Sequence, residues 1–171
     1  MVDVPIPADQ VQDPFELQVP GFGLGRDPVR TPMPWTSQQH GGFTDGHPWL
    51  PLNPDIDVLN IASQATDPRS MLSLYRSLIR LRRANAELSV GALRLLRADG
   101  GVLAYSRELE NSEVLIALNM TDRAQLFRCE RSARETLLST YLDAPARSGN
   151  DEYRLRANEG LVLKLQATAS K

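Results

Sequence analysis

The sequence predicts a mainly β protein, with a C-terminal antiparallel β-sandwich of Greek-key-like connectivity preceded by a long irregular segment and one amphipathic helix. Three observations carry this. From residue 91 onward, short apolar or alternating runs recur about every ten residues, the spacing of a small sandwich. Across residues 67–84, apolar residues recur at three- and four-residue steps, the period of a helix buried on one side. Residues 1–65 hold ten of the twelve prolines, and each proline removes an N–H donor and fixes φ, which blocks helix interiors and central strands.

In chain order, residues 1–65 read as an irregular loop rich in proline, with eight acids against two bases (Arg26 and Arg30), a net charge near −6. The segment also keeps Phe15, Phe22, Trp35, Phe43 and Trp49. Aromatic residues of this size are buried or used for contact, which predicts an ordered loop lying on something rather than a disordered tail. Thr66 or Asp67 is the expected cap of the helix over 67–84, with Pro68 at its first position. Met71, Leu74, Tyr75, Leu78 and Leu81 form its apolar stripe, widened by Leu72 and Ile79. Arg69, Arg76, Arg80 and Arg83 lie off that stripe and read as a solvated face. Strands are expected over 91–97, 102–107, 113–119, 124–129, 136–141 and 161–166. Turns are expected at Asp99-Gly100-Gly101, Glu110-Asn111 and Ser148-Gly149-Asn150.

Composition excludes several function classes. Nineteen basic against 21 acidic residues leave a charge of −2, so nothing global favours a nucleic acid or an acidic membrane as partner. No apolar run is long enough to span a bilayer, and the first ten residues lack a signal-peptide pattern, so a cytoplasmic location is expected. One cysteine and two histidines leave no basis for a disulfide framework or a structural zinc site, and no cofactor or metal is expected. A whole (β/α)8 barrel takes roughly 200 residues or more, beyond the length of this chain.

The β half carries little chemistry. Cys129 lies in a strand-like run with no histidine nearby and reads as an inert buried thiol. The loop half is richer. Arg, Asp, Asn and Trp among rigidifying prolines suit sugar recognition, because planar polar forks bind hydroxyl pairs and aromatic faces stack on pyranose C–H surfaces. Arg26 and Asp27 could equally form a structural ion pair. Glycoside hydrolysis uses two carboxylates across the scissile bond, and Asp27, Asp45, Asp55 and Asp57 are available. None of them has an apolar setting that marks it as acid or nucleophile, and caps, turns and surface charge account for them as well. His40 and His47 are too few for a metal or catalytic set, although His47 beside Trp49 could line a pocket.

Three ordered motifs add a resemblance. They are Arg26-Asp27-Pro28-Val29-Arg30-Thr31-Pro32-Met33-Pro34-Trp35, then Gly41-Gly42-Phe43-Thr44, then Pro48-Trp49-Leu50-Pro51-Leu52-Asn53. Together they resemble the α-glucosidase and oligo-1,6-glucosidase branch of glycoside hydrolase family 13, with its RD-x-x-RTPM-x-W loop, AGFT-like segment and PWLP-x-N segment. Pro34 stands where most members of that branch have glutamine. Tyr75-Arg76-Ser77-Leu78-Ile79-Arg80-Leu81-Arg82 resembles the final barrel helix of the family, which a β-sandwich follows.

The resemblance implies three segments. Residues 1–66 would be the substrate loop after the last barrel strand, 67–87 the last barrel-type helix, and 88–171 the C-terminal sandwich, with Met1 at an internal position. It implies retaining hydrolysis of terminal α-glucosidic bonds in malto- or isomalto-oligosaccharides. It assigns Arg30 to the non-reducing-end glucose. The nucleophilic Asp, the acid/base Glu and the third Asp of the family precede the RTPM loop, so no catalytic residue is expected within this chain, and the isolated chain is expected to be inactive. Trehalose synthase and sucrose isomerase share RTPM-type loops, which keeps transglycosylation open. Two further readings stand beside the fragment: a stand-alone carbohydrate-binding module, and a partner for a separately encoded barrel.

Overall fold

The computed structural model describes residues 3–143 and 151–166. The chain forms two compact units, Met1–Leu72 and Ser73–Lys171.

The first unit is mostly irregular, as the prolines dictate, but it contains two short helices that the sequence reading left out. These are α1 (Pro14–Gln18) and α2 (Ile61–Thr66), with one 3-10 turn before α1 at Ala8–Gln10 and two between the helices at Asp27–Val29 and Gln39–Gly42. Asp13 caps α1 by accepting from the Phe15 N–H, with Pro14 at the first helical position. Asn60 caps α2 in a reciprocal box with Ser63: its Oδ1 accepts from the Ser63 N–H at 2.9 Å, while Ser63 Oγ accepts from the Asn60 N–H at 3.3 Å. Few apolar side chains are buried here. Val4 and Leu50 are, and polar staples do most of the fastening. Asp27 Oδ2 accepts from the Gln12 and Asp13 N–H groups at 2.6 and 2.8 Å. Glu16 closes the glycine-rich bend by accepting from the Gly21 and Gly25 N–H groups.

The main helix, α3, runs Met71–Ala84 rather than from residue 67. The expected cap site instead makes a turn: Asp67 Oδ1 accepts from the Arg69 N–H, and the Ser70 N–H donates to the Asp67 carbonyl. Local side-chain bonding of an aspartate thus outcompetes one further helical turn. A one-turn helix, α4 (Glu87–Val90), follows it.

Among the described residues of the second unit, seven strands follow: β1 (Ala92–Asp99), β2 (Val102–Leu109), β3 (Ser112–Asn119), β4 (Gln125–Arg128), β5 (Ala133–Ser139), β6 (Glu152–Leu155) and β7 (Gly160–Leu165). They form a five-stranded antiparallel sheet in the order β1-β2-β3-β7-β5 and a two-stranded sheet β4-β6. From β3 to β7 successive strands alternate between the two sheets, which makes the sandwich. Gly100 and Gly101, both at positive φ, make the tight β1–β2 turn, and Glu110-Asn111 makes the next. The expected turn at Ser148-Gly149-Asn150 lies outside the described residues.

Phe127, Cys129, Tyr153 and Leu155 of the small sheet and its edges bury against Val102, Ala104, Leu115, Ala117, Leu161, Leu163 and Leu165 of the large one. The opposite face of β3 and β7 buries Val114, Ile116 and Val162 beneath Leu81 of α3 and Leu88 of α4. Strands β3 and β7 are therefore covered on both faces, which explains their nearly continuous apolar runs.

The buried glutamates of this unit are paired. Glu87 of α4 accepts from Lys164 of β7 and from Ser112 Oγ, fastening the helix to the sheet. Arg94 and Arg131 both hold Glu113. Glu159, about 1% exposed, accepts from Ser139 Oγ at 2.6 Å and from Arg156, whose guanidinium also holds Asp143 and lies 3.9 Å over the Tyr141 ring. Burial works against ionising Glu87, Glu113 and Glu159, yet these partners hold all three carboxyls below the ordinary glutamate value. Cys129 is buried, and burial pushes its thiol up, in keeping with an inert side chain.

Candidate functional site

Apart from Cys129, the residues that sequence reasoning singled out lie on an arm of the first unit over residues 26–57, and its backbone shows why it holds its shape. Asp27-Pro28-Val29 makes a 3-10 turn closed by the Arg30 N–H donating to the Asp27 carbonyl at 3.0 Å. The chain then extends through Pro32 and Pro34. The N–H groups of Trp35 and Thr36 both donate to the Gly41 carbonyl, at 2.7 and 3.0 Å. On its other side, the carbonyls of Pro34 and Trp35 accept from Ile61 and Ala62, the first two residues of α2. A helix start offers N–H groups without intrahelical partners, and here the arm takes two of them. Glycine suits position 41: its φ is +65°, which strains other side chains, and a Cβ would meet Pro34 Cα at a tight 3.3 Å.

With its backbone tied on both sides, the arm leaves Arg30, Met33 and Trp35 exposed. Phe43 and Trp49 on the following turns are also exposed, Trp49 by 76%. None of the five aromatic residues noted above is buried within the chain.

The two arginines of the arm differ. Arg26 pairs with Asp13, its Nε donating to Oδ2 at 2.9 Å, and not with the adjacent Asp27. That bond, with the Phe15 N–H, lowers the Asp13 carboxyl to about 2. The guanidinium of Arg30 makes no hydrogen bond or ion pair among the described residues.

The four carboxylates separate as well. Asp27 is buried with its Oδ2 committed to main-chain donors, so it is a structural staple. Asp45, Asp55 and Asp57 are exposed, and the Asp55 N–H is held in a turn by Asn53 Oδ1. The histidine rings sit edge to face with centroids 5.9 Å apart. His40 lines a pocket of about 420 Å³ with Gln38, Gln39, Gly42, Phe43, Thr44 and Asp45, whereas His47 and Trp49 are not among its lining residues. Sequence reasoning missed Gln38 and Gln39; the available signal was a polar pair between Trp35 and a Gly-Gly turn. Among the described residues, no three His, Cys, Asp or Glu side chains come together as a metal cluster would require. No described helix is long and apolar enough to cross a membrane.

Comparison with known proteins places these features. Residues 1–91 match the family described as alpha amylase, catalytic domain. The chain is 32% identical over 160 residues to an oligo-1,6-glucosidase of Parageobacillus thermoglucosidasius, covering 91% of this chain and 28% of that protein. It is 37% identical over 142 residues to an oligo-1,6-glucosidase of Halalkalibacterium halodurans, covering 81% and 25% respectively. Among solved structures, an isomaltulose synthase from Klebsiella sp. LX3 superposes with a TM-score of 0.76 at 30% identity, over 83% of this chain and 26% of that one. A trehalulose synthase matches at a TM-score of 0.75. The chain thus spans about a quarter of the length of the relatives it matches. With the matched region taking in the arm and the helices α1 to α4, and ending just before β1, the chain belongs to the α-amylase family.

Proposed function

We propose that this chain supplies the sugar-holding arm and C-terminal sandwich of an α-glucosidase that removes terminal α-linked glucose with retention, acting on malto- or isomalto-oligosaccharides. Arg30 is the substrate-binding residue of this reading. The observation that carries it is the contrast between neighbours: Arg26 is consumed by Asp13, whereas Arg30 leaves an exposed guanidinium with no partner among the described residues. A planar fork of donors suits a pair of sugar hydroxyls together with an acidic neighbour.

The chemistry is double displacement. A carboxylate attacks the anomeric carbon as a carboxylic acid protonates the leaving oxygen, and water then releases the sugar. In this reading both groups lie outside these 171 residues, because Asp27 is a staple and the other carboxylates of the arm are exposed turn residues. Residues 1–66, 67–87 and 88–171 serve as substrate loop, barrel-type helix and sandwich. The partner is the remainder of a catalytic domain, in the same polypeptide or encoded separately.

The test joins this chain to the preceding part of the P. thermoglucosidasius relative and measures kcat/KM on 4-nitrophenyl α-glucoside and isomaltose. Arg30→Ala is expected to lower kcat/KM by about 100-fold or more, as loss of a charged donor at a reacting sugar does. Undiminished turnover by the Arg30→Ala chimera overturns the assignment, and turnover by the isolated chain overturns the placement of the carboxylates. A second reading, sucrose isomerisation, rests on the likeness to the isomaltulose and trehalulose synthases. Feeding the chimera sucrose separates the two, since an isomerase yields an isomeric disaccharide and a hydrolase yields free glucose.

A further inference from the structure

We propose that the pocket lined by Gln38, Gln39, His40, Gly42, Phe43, Thr44 and Asp45 is a binding site for one hexose ring of an oligosaccharide. The proposal rests on the α-glucoside reading for the identity of its sugar, and on the pocket itself for its place.

The turn that builds the pocket is held by its own backbone. The Gly41 N–H donates to the Gln38 carbonyl at 2.8 Å, and the Phe43 N–H donates to the His40 carbonyl at 3.1 Å. The Gln38 N–H donates to Thr36 Oγ1, and the Gly46 N–H donates to Thr44 Oγ1. Three consecutive residues, His40, Gly41 and Gly42, have left-handed φ of 56°, 65° and 64°. Two are glycines, for which this costs little. At His40 the same conformation strains an ordinary side chain, and strain of this kind concentrates where a side chain is put to use. The His47 ring edge and the Gln39 amide, 3.2 Å from His40 Nε2, steady the imidazole.

The lining selects the ligand class. An anion would face the Asp45 carboxylate with no lysine or arginine in the lining. A metal ion would find one histidine and one aspartate in the lining, and no cluster of three His, Cys, Asp or Glu side chains forms among the described residues. A wholly apolar ligand would desolvate two amides and a carboxylate without replacing their hydrogen bonds. A neutral ligand with many hydroxyls and one apolar face meets each group: the amides of Gln38 and Gln39 both donate and accept, Asp45 accepts, and Phe43 offers a half-exposed ring for C–H stacking. A hexose is such a ligand. The volume of about 420 Å³ falls at the small end of the range for small-molecule sites.

The experiment titrates the 171-residue chain with isomaltose and follows backbone and side-chain amide signals by NMR. Saturable shifts at residues 38–45 and at the Gln38 and Gln39 side-chain amides are expected. Gln39→Ala and His40→Gly should each weaken that response about five- to tenfold, the scale of one or two lost hydrogen bonds. Glycine at position 40 keeps the left-handed turn, so the second variant removes the ring without endangering the fold. Asp57→Ala, at an exposed turn outside the lining, should leave the pocket response unchanged. Shifts confined to Arg30 and its neighbours overturn the pocket and leave the α-glucosidase reading standing. A pocket response that survives both pocket variants also overturns it, as does the absence of any shift. Shifts at the pocket with none at Arg30 support this site and count against the role of Arg30.

Discussion

Replacing Asp27 tests whether the arm is built as described, because this residue is one of the four carboxylates that the sequence offers and the one that is buried. Its Oδ2 accepts from the Gln12 and Asp13 N–H groups at 2.6 and 2.8 Å, and the residue is buried. Truncation to alanine strands both main-chain donors. A buried donor left without a partner costs about 1–3 kcal/mol, so the two together should cost the first unit about 3 kcal/mol. Asp27→Asn retains an acceptor oxygen and loses the charge, which should cost about 1 kcal/mol. The readout is amide hydrogen exchange at Gln12, Asp13 and Phe15. A loss of about 3 kcal/mol corresponds to roughly a hundredfold faster exchange where those amides open locally. Asp45→Ala, at an exposed turn, should change exchange by less than about 0.5 kcal/mol. Wild-type protection of Gln12 and Asp13 in Asp27→Ala would refute the staple and return Asp27 to the list of chemical candidates.

Three further outcomes follow from the strand unit and the charges. Leu163 is fully buried between the sheets, so Leu163→Ala should cost about 2–5 kcal/mol, read as a lower urea midpoint with unchanged slope. Glu159→Gln should cost about 2 kcal/mol in the same assay; the partial exposure of Arg156 keeps this below the full cost of breaking a buried pair. Asp13 is lowered to about 2, and Glu87, Glu113 and Glu159 are lowered as well. Their contribution to stability is complete above the unfolded carboxylate range near ~4 and is lost as the pH falls below it, so urea midpoints should decline on acidification, less steeply in Glu159→Gln.

The sandwich was legible because its signals are local and redundant. Period-two runs and Gly-Gly or Glu-Asn turns agree over β1 to β3, and the structure adds only shifts of one or two residues at their ends. Strand β6 was missed because Glu152–Leu155 is four residues long with only two inward apolar side chains, Tyr153 and Leu155. Strand β5 begins at Ala133 rather than 136, where a register shift against β7 breaks the alternation. In the arm, the motif singles out Arg30 as a candidate, but the Arg26–Asp13 pairing joins residues thirteen apart and leaves no periodic trace. The pocket at Gln38–Asp45 depends on three successive left-handed residues, and only two of them advertise this by being glycine.

The two units hold themselves together by different means, and this makes a prediction about where the chain opens first. The strand unit has a continuous apolar cluster across both sheets and a second one under α3 and α4. The first unit buries Val4 and Leu50 among its apolar side chains and relies on Asp13, Glu16, Asp27 and Asn60 as staples. Ordering a residue costs about 1–2 kcal/mol of backbone entropy, and a net hydrogen bond returns about 1 kcal/mol, so staples alone do not hold a segment of this length strongly. Its exposed aromatic residues are the apolar surface that would supply the difference once covered. In the 171-residue chain, the amides of the first unit should therefore exchange at a lower opening free energy than those of β3 and β7, and limited proteolysis should cut before about residue 66 while sparing the strands. A sugar that seats on the arm should raise protection in the first unit by RT ln(1 + L/Kd), with L its free concentration, and leave β3 and β7 unchanged. Equal protection of Gln12, Trp35 and Ile116 without any ligand would show that the first unit is self-sufficient and that its exposed aromatic residues need no cover.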